Sequence, residues 1–72
     1  MVEVFKTDVC ERRKAAQLKR ILSYKYQLDK ISFDLEDKDK ILRVESFCNK
    51  IESLRIIEII KKNGQYCEIL NH

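Results

Sequence analysis

The chain has 72 residues, of which 44% are hydrophobic and 38% are charged. This length suits one domain, and the hydrophobic content is too high for a disordered segment, so we expect a single folded domain over residues 1–72. The fifteen basic and twelve acidic residues are interleaved and give a formal net charge of +3, which excludes a polycationic nucleic-acid arm.

The three cysteines, Cys10, Cys48 and Cys67, are odd in number and widely spaced. Such a set favours a reducing compartment over a disulfide framework. No stretch has the layout of a secretory signal peptide or the length of an apolar membrane span. We therefore expect a soluble cytoplasmic protein that does not enter a membrane.

A strand followed by a helix is predicted at the start of the chain. Residues 2–7 (VEVFKT) alternate and are rich in strand-forming side chains. Asp8 can cap the following helix, and Glu11 three residues later completes a capping-box pattern. The apolar residues Ala15, Leu18, Ile21 and Leu22 then recur at helical spacing. This pattern is typical of an amphipathic helix that packs against a core.

The middle of the chain predicts a β-hairpin. Residues 31–36 (ISFDLE) alternate strictly, as do residues 41–45 (ILRVE). The short polar segment 37–39 (DKD) separates the two runs. Two alternating runs joined by such a link form a hairpin.

A second helix and a last strand complete the prediction. The helix begins between Asn49 and Ser53, because Asn49 with Glu52 forms one capping pattern and Ser53 offers a competing cap. Gly64, the only glycine, stands where a left-handed C-terminal cap is needed. Residues 66–70 (YCEIL) then form the closing strand.

The resulting order, β-α-β-β-α-β, predicts the ferredoxin-like α+β fold, a four-stranded antiparallel sheet with both helices on one face. We expect eight residues in its core: Ala15, Leu18, Leu22, Phe33, Leu42, Ile56, Ile60 and Ile69. This fold hosts many functions and by itself indicates none of them.

Three stretches resemble the heavy-metal-associated domain of copper chaperones and metal-pumping ATPases, namely residues 2–9, 31–36 (ISFDLE) and 61–69 (KKNGQYCEI). The resemblance spans nearly the whole chain. The metal loop of that family reads Met-x-Cys-x-x-Cys. Counting back from Leu22 at the end of the first helix places Val9 at the Met position and Glu11 and Lys14 at the two Cys positions. The resemblance therefore implies a divergent relative that keeps the scaffold without the thiolate pair.

Cys10 is a weak candidate for a metal ligand or a reactive thiol. Soft metals need at least two thiolates, and the neighbouring Arg12, Arg13 and Lys14 repel a cation. His72, the only histidine, stands near the end of the chain, where it is poorly placed to act as a base for a nucleophile. We expect no bound metal, no cofactor, no catalytic residues and no enzymatic activity. Cys67 is interpreted as a small core residue in phase with Ile69.

The sheet face away from the helices is the predicted partner-binding surface. If Val2 and Val4 point into the core, the opposite phase of the strands is left uncovered. That phase contains Phe5, Ile41, Arg43 and Tyr66, with Leu70 as a further candidate. A mixed apolar and charged face indicates a protein partner or a second copy of the chain.

Two other functions stay open as alternatives. One is a copper carrier that uses Cys10 with a non-standard ligand or with a ligand from a second chain. The other is single-stranded nucleic-acid binding on the uncovered sheet face, where Phe5, Tyr66 and Arg43 weakly resemble the stacking residues of RNA-recognition domains. Nucleic acid is the less favoured partner, because the glycine-rich and aromatic-rich strand signature of those domains is missing.

Overall fold

The computed structural model describes residues 1–26, 28–47 and 50–70. Its elements in chain order are β1 (Val2–Thr7), α1 (Arg12–Lys25), β2 (Lys30–Asp34), β3 (Ile41–Glu45), α2 (Ser53–Lys62) and β4 (Cys67–Ile69). The strands form one antiparallel sheet in the order β2-β3-β1-β4. This is the ferredoxin-like α+β fold, and the predicted order of elements is confirmed. In the part of the chain that the structure describes, neither helix is long and apolar enough to cross a membrane.

Both helices pack on the same face of the sheet. Residues opposite one another in an antiparallel ladder point to the same face, and one such row runs across all four strands as Phe33, Leu42, Phe5 and Ile69. The helices contribute the buried side chains Ala15, Leu18, Leu22, Ile56, Ile59 and Ile60 to the same cluster. Of the eight predicted core residues, six are buried, while Phe33 and Ile69 are partly buried because they lie on the two edge strands.

The predicted phase of β1 is wrong. Phe5 has no exposed surface, whereas Val2 is 47% exposed and Val4 is half-buried on the other face. The reason is the pairing of β1, because Phe5 lies opposite Leu42 and Ile69, which both face the helices. This register buries the largest apolar side chain of the strand. Phe5 is therefore a core residue and does not belong to a partner-binding surface.

The predicted capping box at the start of α1 does not form. The helix is preceded by Glu11, whose side chain makes no capping hydrogen bond. The Asp8 carboxylate instead accepts a hydrogen bond of 2.8 Å from the backbone N–H of Tyr66. Asp8 therefore ties the loop after β1 to the start of β4, a contact between residues 58 positions apart.

The end of α2 has the predicted glycine cap. Gly64 has a φ of +86°, its N–H donates to the Lys61 carbonyl at 3.0 Å, and the N–H of Gln65 donates to the Ile60 carbonyl at 3.2 Å. These two bonds define a Schellman motif. At its other end α2 begins at Ser53, whose hydroxyl donates to the Glu3 carboxylate at 3.1 Å instead of capping the helix. The predictions for Cys48, Asn49 and His72 fall outside the described residues.

Candidate interaction surface

The side of the sheet opposite the helices has no element of the described chain packed over it. We call this surface the open face. Its strand residues are Lys30, Ser32 and Asp34 of β2, Ile41, Arg43 and Glu45 of β3, Val2, Val4 and Lys6 of β1, and Glu68 of β4. Tyr66 and Leu70, in phase with Glu68, flank β4 on the same side.

The apolar part of the open face is continuous across β1 and β4. Val4 follows Val2 by two residues on the same strand, and the N–H of Leu70 donates to the Val4 carbonyl at 2.9 Å. Val2 and Tyr66 are the most exposed of the apolar and aromatic residues on the open face, at 47% and 45%. Val4, Leu70 and Ile41 are half-buried by their neighbours. The open face thus presents apolar side chains that the chain's own helices do not cover.

The charges on the open face balance. It holds three basic residues, Lys6, Lys30 and Arg43, and three acidic residues, Asp34, Glu45 and Glu68. Arg43 lies 3.6 Å from the Glu45 carboxylate, and Lys6 lies 3.7 Å from Asp39 at the edge of the sheet. Both pairs are partly exposed, and such pairs contribute about 0–1 kcal/mol to stability. The equal numbers of basic and acidic strand residues, and not these pairs, leave the open face without formal net charge.

Tyr66 lies on the open face just before β4 and is exposed. Its backbone N–H donates to the Asp8 carboxylate at 2.8 Å. Hydrogen bonding of its hydroxyl with the Glu68 carboxylate raises the pKa of Tyr66 above its ordinary value, with smaller contributions in the same direction from desolvation and from the Glu68 charge. An exposed aromatic side chain of this kind anchors many interfaces.

Three of the four predicted contact residues lie on the open face. Arg43 and Tyr66 are exposed and Ile41 is half-buried, whereas Phe5 belongs to the core. Sequence reasoning assigned Val2 and Val4 to the core and therefore missed their place in this surface. The signal that could have found them is the pairing of Phe5 with Leu42, since both are large apolar residues in the middle of neighbouring strands.

Cys10 is exposed and lines an open cavity of about 400 Å³ between the β1–α1 loop and the start of α1. The cavity is also lined by Asp8, Glu11, Arg13, Lys14, Gln17 and Gln65. The described residues contain no group of three or more His, Cys, Asp or Glu side chains that could hold a metal ion. Cys67 is only 1% exposed, and burial raises the pKa of its thiol to about 12. Its thiol lies in the core and does not line the Cys10 cavity.

Comparisons with protein-family models, with curated proteins and with solved structures found no match to this chain. The functional interpretation of the open face and of the Cys10 loop therefore rests on their own chemistry.

Proposed function

We propose that this chain is a non-enzymatic interaction module that binds a second copy of itself through the open face. We further propose that its scaffold is related to the heavy-metal-associated domain and lacks that family's thiolate pair. The observation that carries the proposal is an open face that has apolar side chains at Val2, Val4 and Leu70 and no net charge among its strand residues.

The apolar strip supports a contact function. When one face of an antiparallel sheet is solvated, the strand residues that point to that face are usually polar. Here Val4 lies beside Val2 and Leu70, and Tyr66 lies on the same face with its backbone N–H bonded to Asp8. Aromatic and aliphatic side chains of this kind are what the core of a protein interface usually buries.

The charge balance favours a second copy as the occupant. Two open faces carry no net charge and can approach without repulsion, and each offers both signs for pairing across the contact. A two-fold arrangement uses the same patch on both subunits, so it closes after two copies. It also leaves the helices of both copies on the outside, because they cover the other face of each sheet.

We expect no tight copper binding by the monomer at Cys10. A single exposed thiol offers Cu(I) one ligand where two are needed. We expect weak Cu(I) binding, and little change in it when Cys10→Ser is introduced. Tight one-to-one binding that Cys10→Ser abolishes would instead establish a metal carrier.

The self-association can be measured by sedimentation velocity over a concentration series. We expect the wild-type chain to shift from monomer to dimer between about 10 μM and 1 mM, the range of weak specific complexes. The double variant Val2→Ser with Tyr66→Ser should stay monomeric over this range. Both side chains are exposed, so the fold should survive.

The matched control changes an aliphatic residue and a tyrosine outside the open face. Leu54 and Tyr24 are 74% and 91% exposed, and Leu54→Ser with Tyr24→Ser should leave dimerisation intact. A wild-type chain that is monomeric throughout the series contradicts the proposal. So does a control variant that loses dimerisation to the same extent as the open-face variant.

A further inference from the structure

The positive charge of this protein is concentrated on one helix. The sequence of α1, RRKAAQLKRILSYK, contains six basic residues and no acidic residue. The other 58 residues of the chain hold nine basic and twelve acidic ones. The modest net charge of +3 therefore combines a strongly cationic helix with a remainder that is net negative.

The cations of α1 point away from the core. Ala15, Leu18 and Leu22 form the buried stripe of the helix. Five of the basic residues are exposed and one is half-buried; they are Arg12, Arg13, Lys19, Arg20 and Lys25, with Lys14 as the half-buried one. The ion pairs found among the described residues involve none of the six.

The first turn of α1 works against the stability of the helix. Arg12, Arg13 and Lys14 stand at the positive end of the helix dipole, where cations are unfavourable. This turn has no acidic residue, and Glu11 provides no side-chain cap that would compensate. Residues that break a local stability rule without a compensating contact are expected at functional sites.

The exposed side of α1 has two rows of cations and an aromatic group. Arg12 and Lys19 are seven residues apart, as are Arg13 and Arg20, so each pair is separated by about 10.5 Å along the helix axis. Tyr24, one turn beyond Arg20, is 91% exposed. With Arg20, Ile21 and Lys25 it lines an apolar depression of about 380 Å³.

We propose that α1 binds the phosphate backbone of single-stranded nucleic acid, with Tyr24 stacking on an unpaired base. The repeated negative charges of a strand suit a helix surface with several exposed cations and no acidic residue, and an exposed aromatic ring stacks on any base. A membrane surface fits less well, because an interfacial helix needs a free apolar face and that of α1 is buried in the core. An acidic protein fits less well, because Tyr24 is the only large apolar side chain of α1 that is exposed enough to anchor a protein contact.

This inference goes beyond the proposed self-association and does not depend on it. α1 and the open face lie on opposite sides of the sheet, so a face-to-face dimer leaves both α1 helices accessible. Sedimentation of the protein alone tests the dimer, whereas nucleic-acid binding is measured by a separate titration. Either proposal can therefore fail while the other holds.

Fluorescence anisotropy with a labelled oligothymidine of about 20 nucleotides tests the proposal. Binding should weaken steeply with salt, with each phosphate contact adding about −0.7 to the slope of log K against log salt. The variant Arg13→Gln with Arg20→Gln should reduce the magnitude of this slope by about 1.4, since it removes two contacts. Tyr24→Ala should weaken binding roughly fivefold or more and leave the slope unchanged.

The matched control is Lys38→Gln with Lys50→Gln, which removes the same charge from exposed positions outside α1. It should keep the wild-type slope and change affinity by less than about threefold, the scale of a distant charge effect. Equal losses in both double variants would show that net charge alone drives binding and would overturn the proposal. Absence of binding at low salt would overturn it as well.

Competition experiments separate nucleic acid from other polyanions. Polyglutamate and anionic lipid vesicles, added at the same total charge as unlabelled oligothymidine, should displace the labelled strand less effectively. Equal or better displacement by either competitor would assign α1 to an acidic protein or to a membrane surface instead. The thermal stability of the Arg13→Gln, Arg20→Gln variant should equal or exceed that of the wild type, which excludes unfolding as the cause of lost binding.

Discussion

Phe5 occupies the centre of the row that crosses the sheet, between Leu42 and Ile69, and has no exposed surface. Truncating a fully buried phenylalanine removes its burial energy and leaves a cavity. Phe5→Ala should therefore lower the free energy of unfolding by about 3–5 kcal/mol. The total free energy of unfolding of a domain of this size is little more than that loss, so the variant should be largely unfolded at room temperature.

Val2 provides the comparison, because it lies on the same strand with its side chain on the open face. Val2→Ser should lower the free energy of unfolding by less than about 1 kcal/mol, the span of strand preferences in a host protein. Urea denaturation followed by circular dichroism measures both variants. A greater loss for Val2→Ser than for Phe5→Ala would contradict the observed phase of β1.

Cys67 makes stability depend on pH in the alkaline range. Burial raises the pKa of its thiol from an ordinary value of 9.0 to about 12. Above pH 9 the unfolded chain loses this proton while the folded chain keeps it. The stabilising contribution is therefore complete below about pH 9 and is lost as the pH rises toward 12, with a slope of up to about 1.4 kcal/mol per pH unit.

The measurement is the difference in unfolding free energy between the wild type and Cys67→Ala, compared at pH 8 and at about pH 10.5. Cys67→Ala lowers stability at both pH values because it leaves a small cavity, so the pH dependence is the informative quantity. The wild type should lose more stability than the variant on going to the higher pH. Parallel losses would mean that the thiol is not protected in the folded chain.

Among the elements, α2 shows how one residue ends a helix. Gly64 has a φ of +86°, and a Cβ added there would meet no atom within 4 Å. Gly64→Ala should therefore cost only the left-handed backbone penalty, about 1–2 kcal/mol. Gly64→Asn should cost less, because asparagine tolerates this conformation. Thermal unfolding measures both, and an alanine variant as stable as the wild type would contradict the assigned cap.

The elements themselves could be predicted because alternation and helical spacing are local properties of the sequence. The hairpin runs, both helices and the glycine cap of α2 all follow from residues within a few positions of one another. The Asp8 cap could not be judged in this way, because its carboxylate bonds to Tyr66, 58 positions away. Local patterns showed that Asp8 could cap α1, but they could not show that its carboxylate would bond to Tyr66 instead.

The candidate site was only partly predictable for the same reason. In residues 2–7 both phases contain apolar side chains, so alternation alone does not decide which one faces the helices. The register with β3 decides it by placing Phe5 opposite Leu42. Ile41, Arg43 and Tyr66 were found because they lie on strands whose phase was clear. The cationic surface was overlooked because the charge was averaged over the whole chain.

At the scale of the whole molecule, two surfaces of different character lie on opposite sides of the sheet. The strand residues of the open face carry no net charge, whereas α1 has six basic residues, five of them exposed. The two surfaces should respond differently to salt. Screening weakens contacts between α1 and a polyanion, but it has little effect on a neutral apolar contact.

The dissociation constant of the dimer formed through the open face should therefore change by less than about threefold between about 50 and 500 mM salt, a tenfold change in salt concentration. Sedimentation velocity at the two salt concentrations measures this change. Dissociation of the dimer by salt would mean that charged groups, and not the apolar strip, hold the copies together. Such a result would move the contact away from Val2, Val4 and Leu70.

The most direct test of the central claim is to see which side chains touch across the dimer. Equal amounts of ¹³C-labelled and unlabelled protein can be mixed and examined for nuclear Overhauser effects between subunits. We expect such effects from the methyl groups of Val2, Val4, Ile41 and Leu70 of one copy to the open face of the other, including the Tyr66 ring. Effects confined to residues of α1 or α2, or no effects at concentrations where the dimer is populated, would contradict it.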